Sequence, residues 1–237
     1  MVNERIIVQG FLSLKAKTRY EAMLTILEDY GIPYTVQSCG KNCHNILINE
    51  HGQYADLVLV AHYDVYTGSL GINDNACSLA VLLNLCHSLP ENVKIVFTDK
   101  EETGMIGSSH YVNTYKDKIG KVIVLDIIGY GDTLVYGTFE NDFSFLEHYG
   151  LKRIVQVLPS DNLAFKIHGV KVALITAAHV EDIIFYNGQY DLSSAPRFYE
   201  SFHNRLKDND VSVINFQLIE QLRLDLLKII KENSHKN

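Results

Sequence analysis

The 237-residue sequence contains no long apolar run and no cluster of basic residues. Its longest apolar stretches are much shorter than the roughly 20 residues that a transmembrane helix needs. The formal net charge is −7, and charges of both signs are mixed along the chain, whereas proteins that bind nucleic acid or anionic membranes often carry basic runs. We therefore expect neither nucleic acid nor a membrane as a partner.

The N-terminal segment lacks the apolar core of a secretory signal peptide and includes Glu4 and Arg5. This pattern predicts a cytoplasmic protein. The chain has four cysteines, which are Cys39, Cys43, Cys77 and Cys86. We expect free thiols, because disulfides are rare in the cytosol. A metal clip of Cys39, Cys43 and His44 is the less favoured alternative, since structural zinc sites usually have four ligands.

Apolar residues make up 47% of the chain, which is enough to bury a sizeable core. The length fits one large domain, and we find no repeat, low-complexity tract or linker. Short apolar runs of strand length alternate with segments of helical periodicity from residue 56 onward. The alternation predicts one domain over residues 1–237, a three-layer α/β/α sandwich with a mixed, mostly parallel central sheet.

Several local signals set the element boundaries. Thr18 and Glu21 form a capping-box pattern that predicts a helix start. Residues 34–38 and 45–49 are strand candidates joined by a polar hairpin turn. Ser160 is expected to cap a helix that Gly169 closes. The last 27 residues, from Val211, are expected to form one long amphipathic helix.

Polar side chains follow the predicted strands at their ends. His62 and Asp64 are two residues apart after a buried strand, so their side chains face the same way. His62 is a candidate metal ligand, and Asp64 is expected to orient it or a nearby ligand. Asp74 precedes a helix, where it could act as an N-cap or as a carboxylate bridging two cations. If Asp74 bridges two cations, Asn73 or Asn75 could act as the N-cap of the helix instead.

The second group of candidates lies further along the chain. Glu101 and Glu102 follow a strand. They could form a solvated turn, or one of them could bind a metal while the other acts as a general base. Asp126 interrupts an apolar strand, and a buried carboxylate is costly unless it is paired or bound to a cation. His203 precedes the last helix. Together these histidines and carboxylates form a ligand set suited to zinc-like metals.

These motifs resemble the di-zinc aminopeptidase family that includes bacterial leucyl aminopeptidase and aminopeptidase S. The resemblance runs from about residue 57 to residue 209, and the same fold contains glutaminyl cyclases and the glutamate carboxypeptidase catalytic domain. It rests on "AHYD", "GINDNACS", "EETGMIGS", "LDIIGYG" and "FHN" in this order. It implies two zinc ions, with cobalt or manganese as alternatives, and a small peptide as the substrate.

The resemblance also assigns roles to single residues. One metal would be held by His62, Asp74 and Asp126, and the other by Asp74, Glu102 and His203. Glu101 would be the general base, with Asp64 in support. Three positions depart from the family pattern. Asn162 stands where a histidine is usual, Asn204 stands where threonine is frequent, and Lys207, followed by Asp208, stands where an aspartate is frequent.

The implied function is an aminopeptidase that removes N-terminal residues from short peptides. The chain shows no inserted lid, which favours small substrates and leaves room for a homo-oligomer that completes the pocket. Glutaminyl cyclase is one alternative, but that family depends on pocket tryptophans and this chain has none. A carboxypeptidase or dipeptidase is another, with Arg197 or Arg205 to hold the substrate carboxylate. The last alternative is a non-catalytic module of the same fold.

Overall fold

The computed structural model describes residues 7–8, 18–155, 158–186, 189–192, 196–203 and 205–234. Its strands are β1 (Thr35–Gly40), β2 (Cys43–Ile48), β3 (Ala55–His62), β4 (Val93–Thr98), β5 (Ile119–Leu125), β6 (Thr133–Thr138), β7 (Lys152–Ile154), β8 (Lys171–Ala178), β9 (Ile184–Tyr186) and β10 (Gln189–Asp191). Its α-helices are α1 (Arg19–Asp29), α2 (Cys77–Leu85), α3 (Ile106–Tyr115), α4 (Asp161–Ile167), α5 (Pro196–Tyr199) and α6 (Phe216–Ser234).

The described strands form one mixed sheet in the order β1-β2-β4-β3-β5-β8-β6-β7-β10-β9. The four strands β4, β3, β5 and β8 run parallel to one another. Strands β1, β2 and β9 and the β6–β8 pair add antiparallel connections. Strand β3 lies in the middle of the parallel part of the sheet, where helices cover both faces, and this explains its continuous apolar sequence.

Helices cover both faces of the sheet. Leu57 and Leu59 of β3 belong to the apolar cluster that contains Met23 of α1 and Leu226 of α6. Val58, between them, belongs to the opposite cluster with Tyr111 of α3 and Phe165 of α4. Successive residues of a strand point to opposite faces, so β3 contributes to both cores. This arrangement confirms the predicted three-layer α/β/α sandwich.

Two predicted helix boundaries have different outcomes. The capping box at the start of α1 is present, because Glu21 N donates to Thr18 Oγ1 and Thr18 N donates to the Glu21 carboxylate. The expectation of one helix from Val211 is wrong. A 3-10 turn covers Val211–Val213, and α6 begins only at Phe216. Asn215 separates them, and its Oδ1 accepts from Leu218 N at 3.1 Å.

The expectation of four free thiols is also wrong, and so is the metal clip. Cys39 and Cys43 form a disulfide with their Cα atoms 5.1 Å apart. The hairpin places Cys43 opposite Gly40 in the register of β1 and β2, and this separation is in the range that a disulfide spans. Cys77 and Cys86 are free.

Among the described residues, none of the helices combines the length and the hydropathy that crossing a membrane requires.

Candidate metal centre

The ends of three neighbouring parallel strands bring most candidate residues to one edge of the sheet. His62 ends β3 and pairs in register with Thr98 at the end of β4, three residues before Glu101. Val60 pairs with Val124 of β5, two residues before Asp126. Because β3 lies between β4 and β5, all of these side chains project at the same edge, where open α/β sheets place their binding sites.

Asp126 lies one residue beyond β5, so the expectation that it interrupts a strand is wrong. Its backbone N still donates to Ile175 O at 3.1 Å. Ile127, the next residue, has φ 55°, as does His203. This left-handed conformation is unfavourable for a β-branched residue, and such backbone strain clusters at functional sites.

His62 is buried at the centre of the candidate site, with 1% of its surface exposed. Its Nε2 atom lies 3.1 Å from Asp74 Oδ1 and 3.5 Å from Asp126 Oδ1. Burial lowers the pKa of this imidazole, but the neighbouring carboxylates of Asp126, Asp64 and Asp74 raise that pKa well above its usual range. The ring therefore sits in a strongly acidic environment.

Asp64 connects the histidine to the glutamate pair. Its backbone O lies 3.2 Å and its Oδ1 3.4 Å from His62 Nδ1. The same carboxylate accepts from Glu101 N and from Glu102 N, each at 3.1 Å. A single side chain thus orients the ring of His62 and holds the backbone of both glutamates, in the way that carboxylates behind metal-binding histidines do.

Asp74 lies in the segment Ile72–Ala76, which has no side-chain cap, so the N-cap interpretation is wrong for this residue. Its side chain faces the site instead, and Asp74 N donates to Asp208 Oδ1 at 3.0 Å. Gly71 begins the segment with φ 58°, and a Cβ there would come within 2.6 Å of Asp74 O. The loop that presents Asp74 therefore requires glycine at this position.

The expectation that Asn73 or Asn75 caps the helix is wrong as well. Asn73 Oδ1 accepts from Gly129 N at 2.7 Å, and its Nδ2 donates to Ser201 O at 2.9 Å. Asn75 Nδ2 donates to Leu125 O at 2.9 Å. The two amides fasten the Asp74 loop to the segments that carry Asp126 and His203.

His203 and Glu102 form the outer part of the cluster. His203 Nε2 lies 3.4 Å from Glu102 Oε2, and His203 N donates to Asp74 Oδ2 at 3.4 Å. The ring of Tyr66 stacks on the imidazole with their centroids 5.0 Å apart. The side chain of His203 is 46% exposed. Asn204, where the sequence departs from the family pattern, lies outside the described residues.

The cluster carries an excess of negative charge, and the pKa values of Glu101 and Glu102 reflect it. Burial raises the pKa of Glu101 to about 9, with Asp126, Asp161 and Glu102 adding to the shift and His62 opposing it. Burial and the charge of Asp74 raise the pKa of Glu102 to about 8. A cation bound among these carboxylates would favour their charged forms.

The available ligand atoms fit a metal ion. Ligand atoms of His62, Asp74 and Glu102 all lie within 4.8 Å of one another. His62 Nε2, Glu102 Oε1 and Asp126 Oδ1 are buried and have no hydrogen-bond partner among the described residues. Buried polar atoms without partners are rare in proteins and call for an explanation. Imidazole and carboxylate donors are the ligands that zinc takes.

Two residues support the site from behind, although neither is among the predicted site residues. Asp208 is fully buried and accepts from the backbone of Asp74, and Ser69 Oγ donates to its carboxylate. Arg19 donates to the carbonyls of Leu70 and Gly71, at 3.2 Å for Gly71. Burial lowers the pKa of Arg19 to about 10, while Asp208 and Asp74 raise it. No local pattern in the sequence pointed to Arg19, whereas Asp208 stands one residue past the position, four after His203, where the family often has an aspartate.

A cavity of about 350 Å³ adjoins the cluster. Asp74, Glu101, Asp126 and His203 contribute to its wall. The rest of the lining is mostly apolar and consists of Ile127, Leu158, Pro159, Ser160, Leu174, Thr176, Phe198, Tyr199 and Phe202. Pockets that bind small molecules have this mixture of apolar walls and a few polar groups.

Tyr199 of α5 lines this cavity. Tyr190 instead contacts Phe185 and Lys152 on another part of the sheet. The side chain of Tyr186 lies outside the described residues. His179 contacts Tyr130 and lies 3.7 Å from Asp132.

Comparison with known proteins agrees with the resemblance seen in the sequence. The family model of Peptidase family M28 matches residues 45–205. Aminopeptidase YwaD of Bacillus subtilis (strain 168) is 39% identical over 72 residues, which cover 28% of this chain and 16% of YwaD. The match thus reaches only a small part of that relative.

Three solved structures share the fold. BSAP, a zinc aminopeptidase from Bacillus subtilis, has a TM-score of 0.61 and 22% identity, with 82% of this chain and 50% of that one covered. LapB from Legionella pneumophila has a TM-score of 0.71 and 16% identity, over 99% of this chain and 72% of that one. Glutaminyl cyclase from Porphyromonas gingivalis has a TM-score of 0.71 and 17% identity, over 98% and 97%.

Proposed function

The chain belongs to Peptidase family M28, and from this membership and the geometry of the site we propose that it is a metal-dependent aminopeptidase. The observation that carries the proposal is the convergence of His62, Asp74 and Glu102, with buried ligand atoms that lack protein partners. We propose zinc as the metal and two ions per chain. His62, Asp74 and Asp126 would hold one ion, and Asp74, Glu102 and His203 the other.

Bound zinc would polarise the scissile carbonyl and lower the pKa of a water molecule. The chain's own residues would then move the proton. Glu101 lines the cavity beside Asp74 and Asp126. We assign it as the general base, which takes a proton from the attacking water and passes it to the leaving nitrogen. Asp64 holds the backbone N of Glu101, so it positions this base.

The lining of the cavity supports a proposal about the substrate. Ile127, Leu158, Leu174, Phe198 and Phe202 line it beside the candidate base. We propose that this wall receives the side chain of the substrate's N-terminal residue and favours apolar residues, because their burial is favourable. Short peptides are the proposed substrates.

A carboxypeptidase or dipeptidase is less consistent with the surroundings of the site. That reaction would need a free cation to hold the substrate carboxylate. Arg197 is already paired with Glu181 at 2.7 Å and with Asp182 at 3.2 Å. Arg205 donates to Tyr199 O and lies over the ring of Phe202 at 5.5 Å.

Glutaminyl cyclase is the second candidate. The chain spans 97% of the Porphyromonas gingivalis glutaminyl cyclase, against 50% of BSAP. Against this candidate, the sequence has no tryptophan to line a pocket of the cyclase type. A cyclase would release ammonia from an N-terminal glutamine and would leave the peptide bonds intact.

Elemental analysis together with a panel of aminoacyl-anilides tests the proposal. We expect two metal ions per chain and chelator-sensitive release of apolar N-terminal residues. One ion with ammonia released from glutaminyl peptides would identify a cyclase. Two ions without turnover of any aminoacyl substrate would contradict the aminopeptidase.

A further inference from the structure

The segment that carries Glu101 and Glu102 joins the end of β4 to the start of α3. Its two ends lie close together, because Gly107 N donates to Asp99 O at 2.9 Å. We refer to this segment, residues 99–107, as the glutamate turn. Its internal bonds fix its shape, whereas its contacts with other segments determine where it places the two carboxylates.

One of these contacts comes from Asn45 of β2, which is fully buried. Asn45 Oδ1 accepts from Asp99 N at 3.2 Å, and its Nδ2 donates to Gly107 O at 2.8 Å. The same Nδ2 donates to Gln37 Oε1 of β1 at 2.9 Å. A Cβ on Gly107 would come within 2.3 Å of Asn45 Oδ1. A single amide thus bonds both ends of the glutamate turn and connects them to the β1–β2 hairpin.

The hairpin adds two further bonds to the glutamate turn. His44 N donates to Asp99 Oδ2 at 3.0 Å, and Lys100 Nζ donates to Lys41 O at 3.0 Å. The Cys39–Cys43 disulfide closes the hairpin at this place. The glutamate turn is therefore attached to a covalently closed hairpin, and the asparagine amide is the buried part of this contact.

We infer that Asn45 is a positioning residue for the proposed general base, Glu101. The inference deepens the proposed aminopeptidase function and rests on it. A general base must reach the attacking water, and a displacement of about 1 Å in a reacting group can lower a rate about 100-fold. Asn45 is not among the residues that line the cavity. It acts through the backbone of the glutamate turn and not on the substrate.

The first test measures kcat and KM of Asn45→Ala with an aminoacyl-anilide that the wild type cleaves. Zinc is supplied in excess, so that kcat reports on the position of the base rather than on loss of metal. We expect kcat to fall about 10–100-fold, which is the range for residues that orient the groups of a metal site. KM should change little, because the cavity lining is intact. An unchanged kcat would overturn the inference.

A double-mutant cycle with Glu101→Gln separates positioning of the base from a general loss of structure. Residues that act as a unit have strongly non-additive effects on a rate. Asn45→Ala should therefore lower kcat much less in the Glu101→Gln background than in the wild type. The same fold loss in both backgrounds would mean that Asn45 acts independently of Glu101, and it would overturn the inference.

Asn49→Ala is the matched control. Asn49 follows the other end of β2, and its Nδ2 donates to the carbonyls of Pro90 and Val93, each at 2.8 Å. The variant removes the same kind of amide and the same number of donated bonds, at the edge of the sheet opposite the candidate centre. It should leave kcat unchanged. A loss of kcat equal to that of Asn45→Ala would contradict a specific role for Asn45.

Amide hydrogen exchange of the metal-free protein separates this inference from the proposed function, because it does not depend on catalysis. Met105 N donates to Glu101 O at 3.0 Å within the glutamate turn. The amides of Met105 and Gly107 should exchange faster in Asn45→Ala than in the wild type. If the wild type cleaves no aminoacyl substrate, the proposed function fails, and faster exchange would still show that Asn45 holds the turn. Unchanged exchange would overturn the inference.

A second variant keeps the exchange measurement decisive if Asn45→Ala does not fold. Lys100→Met removes the exposed bond from the glutamate turn to Lys41 O. It should accelerate exchange in the same amides. Lys118→Met removes an exposed bond of the same kind, to Gly52 O at 2.8 Å, and should leave them unchanged. Equal exchange in the two lysine variants would overturn the role of the hairpin as a support.

Discussion

His62 and His203 are the two histidines of the candidate metal centre, and their surroundings are opposite. His62 ends the central strand, is 1% exposed and has carboxylates on both ring nitrogens. His203 lies in a loop, and its side chain is 46% exposed, stacked on Tyr66 and close to Glu102. The centre thus has two parts. The inner part is His62, at the end of β3, with the carboxylates around it, and the outer part is the loop residue His203 with Glu102.

The difference has a physical origin. Residues at the ends of parallel strands are positioned by main-chain ladders and covered by helices on both faces. A loop residue is positioned by a few specific contacts, here the bond from His203 N to Asp74 Oδ2. We expect the loss of a charge in the inner part to lower the stability of the protein strongly. We expect the same loss in the outer part to have little effect, because a loop residue can change its position.

The largest expected effect comes from Glu101, which is not a proposed ligand of either metal ion. Glu101→Gln should lower kcat by about 100- to 10,000-fold, because a positioned general base contributes that much. The metal content should stay the same, since Glu101 is not a proposed ligand. Steady-state kinetics and elemental analysis on the same sample check both statements. Retained activity in this variant would show that another residue acts as the base.

The comparison of the two histidines is tested directly by a matched pair of variants. His62→Gln removes the positive partner of buried carboxylates, and such losses cost about 3–5 kcal/mol in unfolding free energy. His203→Gln breaks a pair whose histidine is 46% exposed, and a pair open to solvent is worth about 0–1 kcal/mol. Urea denaturation of the metal-free proteins measures both. Equal destabilisation by the two changes would refute the distinction between inner and outer parts.

Arg19 is expected to support the inner part from behind. Arg19→Met removes the bonds to the carbonyls of Leu70 and Gly71, at the start of the loop that presents Asp74. Residues that orient metal ligands affect metal affinity by about 10–100-fold. Competition with a chelator measures this affinity. Arg153→Met, which removes bonds to Asn141 and Glu140 far along the sheet, is the matched control and should leave it unchanged.

A further prediction concerns the pH dependence of stability. The pKa of Glu101 is raised to about 9 and that of Glu102 to about 8, so the folded metal-free protein binds more protons than the unfolded chain between about pH 5 and 9. The unfolding free energy must therefore fall as the pH rises through this window. The raised pKa of His62 acts in the same direction.

Thermal unfolding checks this expectation, at about 2–4 °C per kcal/mol for a chain of this size. The Tm of the metal-free protein should fall between pH 5 and 9. Zinc should reverse the trend, because metal ions bind the deprotonated ligands. A Tm that rises with pH in the absence of metal would mean that the glutamates are charged in the folded protein.

Much of the centre could be predicted from the sequence because its residues follow recognisable local patterns. A continuous apolar run predicts a buried strand, and His62, Glu102 and Asp126 each follow such a run within a few residues. The capping box at Thr18 is local in the same sense. The structure brings these predicted ligands together, and their roles remain proposals.

Other parts could not be predicted, because they depend on contacts between distant residues. Asp208 meets Asp74 across 134 positions and Arg19 meets Leu70 across 51. Strands β7, β9 and β10 have three residues each, which is too short for a periodic signal. The Cys39–Cys43 disulfide follows from the register of a hairpin, which composition does not show.

The order of apolar and polar residues along this chain was sufficient for the three-layer fold and for the set of candidate ligands, because strand and helix periodicity is local. Which oxygen and nitrogen atoms face one another and which cation supports the Asp74 loop were settled by chain packing. These features come from side chains that lie far apart in the sequence and meet only when β3, β4 and β5 align.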